Sequence, residues 1–504
     1  MSCDEQTLKE NLSKVQSSVV DSLVPWFAKN MPKSYFTNVS PEAQIRHMRA
    51  LSAQFDHELG EFSKSAGAVS FHSELPNGEY EVTFMQFSGD RIGVISDKLD
   101  ELSTGEHIGV LSGVMAYTSL DQKLIFDIFT FSPKTVSGGG VIGENLKSYL
   151  SALKDAHDKG TEFSDPIKWN PIFEPEKLAA YVARCNPSYV EHTGPRSFLK
   201  QYELFEKIAG TEDVALFAEA SNLVISKEGT VGAAEAHEGA YWLRLALTNS
   251  IPISALRKIL RLLKQRGISV ERMHLDLVCA SNLGPKAKPS SNNVCMMRLF
   301  ILQPKEPEND WLLKLQRDIK RTKWADDFTM ELANRSIQIQ EEPEELGIQR
   351  AEVITMLSSM LFSMLKSQDA YAFSKTNINN VVKHSRYLRL AAKISNVFIT
   401  RFDPKSNQTE EDFKSQINAL HDEIERDTQE DTVAREVLHR MISTVEYTYR
   451  TNLFLEDRYA LAIRVDTQFL APGNFDKPYD ASQPGPTTPT GVTPYGVFYV
   501  HGRR

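Results

Sequence analysis

The chain has 504 residues, with 57 Lys and Arg against 66 Asp and Glu, for a formal net charge of −9. At 41% hydrophobic and 24% charged residues, with 26 Phe and 16 Tyr, it has the large side chains that packed cores need. That excludes global disorder, and the length calls for roughly three or four domains. The acidic balance argues against nucleic acid or an anionic membrane as the main partner, and no apolar run has the length of a membrane span.

The N-terminus (MSCDEQTLKENL) is acidic and has no apolar core, unlike a secretory signal, so a cytoplasmic or mitochondrial protein is expected. Cys3, Cys185, Cys279 and Cys295 form no CxxC pair, and Cys279 and Cys295, in apolar strand-like stretches, read as small buried hydrophobes of a reducing compartment. The 12 His show no metal-ligand spacing with them.

In chain order, the spacing predicts helices over 5–31 and 41–64. The second opens on Ser40 and Pro41, a cap residue followed by proline at the first helical position. A β-α-β-β pattern follows, with strands at 80–87, 108–118 and 123–131 and a helix at 92–102. Ser119–Gln122 reads as a hairpin turn. Residues 139–238 read as mainly helical, with a Pro-punctuated linker at 166–175.

The β-α-β-β grammar then returns. Strands are expected at 241–248, 268–280 and 293–302, a helix at 253–265, and a closing helix at 311–319. Its basic run Arg257–Arg266 (RKILRLLKQR) reads as the solvated face of a packed helix. Long helices are expected over 345–395 and 410–451, the latter capped by Thr409 with Glu410, Glu411 and Asp412 in its first turn.

The fold class is therefore α+β: tandem ferredoxin-like βαββ sandwiches with helical linking regions. The expected division is 1–75 helical, 76–135 first sandwich, 136–238 helical linker, 239–340 second sandwich, 341–455 helical and 456–504 a further strand-rich element. In that last element, 459–465 and 495–500 read as strands around a Pro/Gly/Thr-rich excursion, 471–494. Two strands cannot bury a core between them. The expectation is a sheet that continues into a longer protein, of which this chain is a fragment.

Gly138, Gly140 and Gly143 (GGGVIG) match the spacing of a dinucleotide loop. The context fails, because 132–137 separates them from the strand, no return strand follows, and Asp155 and Asp158 lie in or near a helix. A hinge between domains is the plainer reading. His421 in HDEIERD reads as part of a solvated charged helix, and His439 in EVLHRM as structural. No catalytic, cofactor-binding or metal-binding residue is assigned.

Thr451-Asn452-Leu453-Phe454, then Tyr459–Asp466 (YALAIRVD) with Phe469-Leu470, resembles the segment ahead of the catalytic core of the large NAD-dependent glutamate dehydrogenases. It departs from that pattern at Leu453 and at Thr467, where the family has proline. Pro494–Arg503 (PYGVFYVHGR) resembles the strand leading into the family's substrate domain. Pro25-Trp26-Phe27, Asn30-Met31-Pro32, Tyr35-Phe36 and His47–Leu51 (HMRAL) are similar to its N-terminal region.

The resemblance implies ACT-like sandwiches ahead of a catalytic half and a homo-oligomeric oxidoreductase. That enzyme oxidatively deaminates L-glutamate to 2-oxoglutarate and ammonia, with NAD as cofactor. It also implies that the catalytic lysine, aspartate and nucleotide domain lie outside these residues, so that this chain alone is inactive. A small effector would be sought first near Gly89 and Ser250, where helices begin. The alternative is a non-catalytic ACT-like small-molecule-binding or scaffold protein.

Overall fold

The computed structural model describes residues 17–32, 35–36, 39–56, 58–59, 61–62, 68–75, 78–87, 92–104, 110–132, 144–160, 173–185, 190, 193–208, 214–220, 240–248, 252–279, 293–304, 310–339, 344–455, 458, 460–466, 469, 479 and 496–501. It divides into two compact units, Met1–Trp311 and Leu312–Arg504.

The first unit begins with α1 (Ser17–Asn30) and α2 (Pro41–Ser52). The Ser40 hydroxyl accepts from the Ala43 N–H and Pro41 sits at the first turn, as the sequence predicts. A small ladder, β1 (Phe55–Asp56) with β2 (Glu61–Phe62), follows. Next come β3 (Val69–Glu74), β4 (Tyr80–Gln86), α3 (Val94–Thr104), β5 (Val110–Thr118) and β6 (Ile125–Ser132). Then α4 (Glu144–Gly160), α5 (Pro175–Val182) and α6 (Pro195–Ile208) precede β7 (Val214–Ala220), β8 (Ala240–Thr248), α7 (Pro252–Gln265), β9 (Ser269–Cys279) and β10 (Asn293–Leu302).

Both β-α-β-β patterns form where the periodicity places them, but they build one sheet. Its eight strands run β3-β4-β6-β5-β9-β10-β8-β7, all antiparallel. The two halves are mirror-ordered. Each βαββ set lies with its second strand inward, and β5 pairs with β9 through Val114↔Leu275, Met115↔His274 and Ala116↔Met273. Each half carries an outer strand from just before its βαββ set. These are β3 and β7, which the sequence reading did not anticipate; β7 lies inside the stretch expected to be helical.

Both faces are covered. Phe126, Ile128, Met85 and Tyr117 share a core with Leu23, Val24 and Phe27 of α1 and Met48 and Leu51 of α2. On the other half, Ala246, Val278, Val294 and Met296 share a core with Leu153 of α4, Tyr181 of α5 and Phe198 and Phe205 of α6. Each half thus holds a helical group, an outer strand and a βαββ set. Double coverage explains why β10 reads as a near-continuous apolar run (NVCMMRLFIL), broken inside only by Arg298, instead of alternating. Seven of its residues, Val294–Met297 and Leu299–Ile301, are at most 1% exposed.

The second unit holds α8 (Trp311–Thr322), α9 (Asp327–Ala333), the ladder β11 (Ser336–Ile337) with β12 (Glu344–Glu345), then α10 (Gly347–Leu365), α11 (Lys375–Lys383), α12 (Ser385–Phe402), α13 (Glu410–Thr428) and α14 (Thr432–Glu446). The strands β13 (Thr448–Thr451), β14 (Leu461–Asp466) and β15 (Gly496–His501) close it. The long helices expected at 345–395 and 410–451 are broken. Ser374 caps α11, His384 ends it and caps α12, and Asp431 caps α14 through the Ala434 N–H. Thr409 and Asp412 form a reciprocal capping box on α13, as expected of that start.

Helix α10 is buried on almost every side (Ala351–Ser358, Met360, Leu361), which makes it the central element of this unit. The strand pair expected near the carboxyl end has a third member. β13, which the sequence reading had given to a helix, pairs with β14, so the order is β13-β14-β15. Leu461, Ile463 and Val465 sink into the helical core.

Candidate functional site

Helix α3 and helix α7 lie side by side on one face of the joint sheet, one from each half. Leu256, Ile259, Leu260, Leu262 and Leu263 of α7 are at most 3% exposed. Burying a leucine or isoleucine fully is worth about 1.5–3 kcal/mol each, so the apolar stripe fixes the helix on the strands. Its basic residues, expected to be simply solvated, meet acids on α3. Arg257 Nε donates to Asp100 Oδ1 at 2.7 Å, Arg261 bonds both Asp100 oxygens at 2.8 Å, and Lys264 Nζ reaches Asp97 at 2.7 Å. Burial works to raise the Asp100 carboxyl, but the two guanidinium bonds outweigh it and hold it below its usual range. Gly93 precedes α3 with φ +82°, and a Cβ there would lie 2.5 Å from the Lys264 stem. Gly89 and Ser250, where the sequence reading would seek an effector, lie outside the described residues.

The second unit contains a side-chain constellation that the sequence reading did not assemble. His421 on α13 and His439 on α14 touch through their Nδ1 atoms at 2.7 Å, and His439 Nε2 lies 2.7 Å from Glu425 Oε1. The imidazole centroids are 4.9 Å apart with 21° between planes. That is the separation expected of two rings meeting edge to edge, so the hydrogen bond lies nearly in plane. A carboxylate only accepts, so His439 donates from Nε2. Neutral His439 then accepts at Nδ1, which makes His421 donate from Nδ1 and keep its lone pair at Nε2.

Tyr479 lies over both rings, at 4.4 Å and 13° from His439 and 5.3 Å and 8° from His421. Its hydroxyl is 3.4 Å from each nitrogen of His421. Equal distances and parallel planes place that oxygen above the ring, a stacking contact and not a hydrogen bond. Glu436 accepts from the Tyr479 backbone N–H and from Arg440 Nε, which anchors Tyr479.

Burial first, and then the neighbouring His439, push the His421 pKa down to about 4. His439 is also lowered by burial, with Glu425 pulling the other way. The relay therefore holds a neutral imidazole in one tautomer, with its lone pair at Nε2. Among the described residues no nucleophile lies in reach of it, so no catalytic role is assigned. The signal for it was the helix break. His421 and His439 lie nine residues either side of Glu430, and the Asp431-Thr432 cap folds α14 back along α13.

Gly138, Gly140 and Gly143 lie outside the described residues, as does Cys3. Cys185 and Cys295 are buried thiols outside any disulfide, and Cys185 Sγ donates to the Tyr181 carbonyl at 3.3 Å. Among the described residues no group of three His, Cys, Asp or Glu side chains could hold a metal ion, and no helix is long and apolar enough to cross a membrane.

No family model and no curated protein matches the chain.

Proposed function

We propose that this chain is the regulatory and assembly part of a large NAD-dependent glutamate dehydrogenase. That enzyme class oxidises L-glutamate to 2-oxoglutarate and ammonia with NAD as hydride acceptor. One observation carries the reading: the separate segments with the family resemblance are neighbouring strands. Thr451 lies opposite Ile463, Ile463 opposite Tyr499, and Leu461 opposite His501.

The two βαββ sets add support from fold-level analogy. They are read as ACT-like sandwiches joined through their second strands, with the α3–α7 seam as the place where a small effector would act on a homo-oligomer. No residue here matches the family's catalytic lysine or aspartate, and NAD and L-glutamate are assigned to a catalytic part outside this sequence. The isolated chain is expected to be inactive.

The test is to sequence the transcript beyond codon 504 and assay the protein purified from its native source for glutamate-dependent NADH formation. A frame that continues into a glycine-rich strand and a nucleotide-binding domain, with that activity, is expected. A stop codon at that point with no activity would replace this reading with a free-standing binding or scaffold protein.

A further inference from the structure

The helix-covered face of the joint sheet that packs on α6 carries a cluster of cations across its middle strands. The register puts His274 of β9, Arg298 of β10 and Arg244 of β8 in one row, and Arg272, Phe300 and Trp242 in the next. Directly opposed like charges repel across a ladder, so Arg244 beside Arg298 needs compensation. Arg244 has it. Glu219 bonds both Arg244 and Lys200, and although burial works to raise its carboxyl, Arg244 and Lys200 hold it below its usual range. Ser197 of α6 also accepts from Arg244 at 3.5 Å and from Arg298 at 3.4 Å.

Arg272 is different. It is half-buried, its guanidinium lies 5.7 Å over the Phe300 ring, and among the described residues it has no hydrogen bond and no carboxylate within 4.0 Å. Adjacent Glu271 faces the other side of the strand, where it accepts from Ser269; burial lowers the Arg272 pKa, and Tyr117 and Glu271 oppose that only through space, without a hydrogen bond to the fork. Asp276, on the same face, is roughly 13 Å along the strand. Fully buried Tyr117 and Phe300 form the floor, and half-buried Met115, His274 and Trp242 surround it. A partly desolvated guanidinium is costly unless a partner supplies hydrogen bonds. Within the described residues of this cluster, Lys200, Arg244, Arg272 and Arg298 oppose Glu219 and Asp276. Burial pushes the Asp276 carboxyl up to about 7, so it offsets only part of that excess.

We propose that the half-buried surface around Arg272 binds a small anion, a carboxylate or phosphate group gripped by the Arg272 fork beside the Phe300–Trp242 aromatic row. The inference is independent of the glutamate dehydrogenase reading. It concerns the face opposite the α3–α7 seam and requires no catalytic partner.

The test is isothermal titration of the full chain with inorganic phosphate and, separately, succinate, at ionic strength held constant with sodium chloride. Saturable 1:1 binding of one probe is expected, and which one binds identifies the head group. Arg272→Met keeps the apolar stem on Phe300 and removes the fork, so at least a tenfold rise in Kd is expected. Arg426→Met, whose side chain is 68% exposed on α13, should leave Kd unchanged. If Arg272→Met does not fold, Arg272→Lys, which keeps the charge without the fork, serves with the same tenfold expectation. Absence of binding by both probes, or an unchanged Kd in the Arg272 variant, overturns the proposal.

Discussion

Lowering the pH should destabilise the first unit through His47. This imidazole on α2 is 0% exposed, with Nδ1 2.7 Å from the Tyr35 hydroxyl and its ring 4.6 Å from Phe126, while Nε2 has no partner. Burial, and then the charge of Arg46, depress its pKa from 6.5 to about 3. The folded state therefore keeps His47 neutral while the unfolded chain takes up a proton below 6.5. Between 6.5 and about 3 the unfolded state binds more protons, so stability rises with pH and is lost as pH falls. Linkage over that shift gives about 2 kcal/mol lost between about pH 7.5 and about pH 5. Glu81 works in the opposite sense, because burial raises its carboxyl against the pull of Arg46. The informative quantity is thus the difference between wild type and His47→Phe, measured by urea unfolding at both pH values. The variant leaves the Tyr35 hydroxyl unpaired, which costs about 1–3 kcal/mol at neutral pH. Its loss on acidification should nevertheless be smaller than that of wild type by about 2 kcal/mol. Equal losses in the two proteins would refute the assignment.

Three further outcomes are expected. Asp431→Ala removes the α14 cap and the bond from the Tyr387 hydroxyl, and should cost about 1–2 kcal/mol in urea unfolding of the second unit. Asp100→Asn weakens the α3–α7 ion pairs; with side chains 29–36% exposed it should cost at most about 1 kcal/mol, and the cost should shrink in molar salt. His439→Phe removes a neighbour that lowers the His421 pKa, so selectively labelled His421 should titrate at higher pH in the variant by NMR.

Local grammar carried most of the first unit. Ser40-Pro41 marked a helix start, and the alternation from periods near 3.6 to runs of strand-forming residues located β4, α3, β5, β6, β8, α7, β9 and β10 to within two residues of their ends. What periodicity cannot state is which edges meet. Both β5 and β9 look like any half-buried strand in isolation, and only their side-by-side placement makes one sheet. β3 was missed because its burial alternates weakly, with Val69 and Phe71 half-covered against exposed Ser70 and His72. In the second unit, apolar spacing runs straight through the helix breaks. The caps at Ser374, His384 and Asp431 decide the geometry, and a reading by hydrophobic pattern passes over them. The same oversight hid the His421–His439 relay.

The paired halves also bear on how the protein holds together. If β9 is taken away, β5 becomes a bare edge whose inward partner row (Val114, Met115, Ala116) is largely apolar, and unpaired edges of that kind recruit another strand. The β5–β9 contact is antiparallel and joins equivalent strands of the two halves, so a second copy of β5 can take the place of β9 with the same hydrogen-bond pattern. A fragment ending at residue 135 keeps α1, α2 and their core with Met85, Phe126 and Ile128, which is enough apolar surface to attempt folding. It should therefore appear by light scattering as a concentration-dependent dimer or aggregate, and Ala116→Lys in the fragment should favour the monomer by placing a charge on the bare strand. A soluble, folded monomer at high concentration without that substitution would show that β5 does not need a partner strand, and the seam would then be a convenience of packing instead of a requirement of the fold.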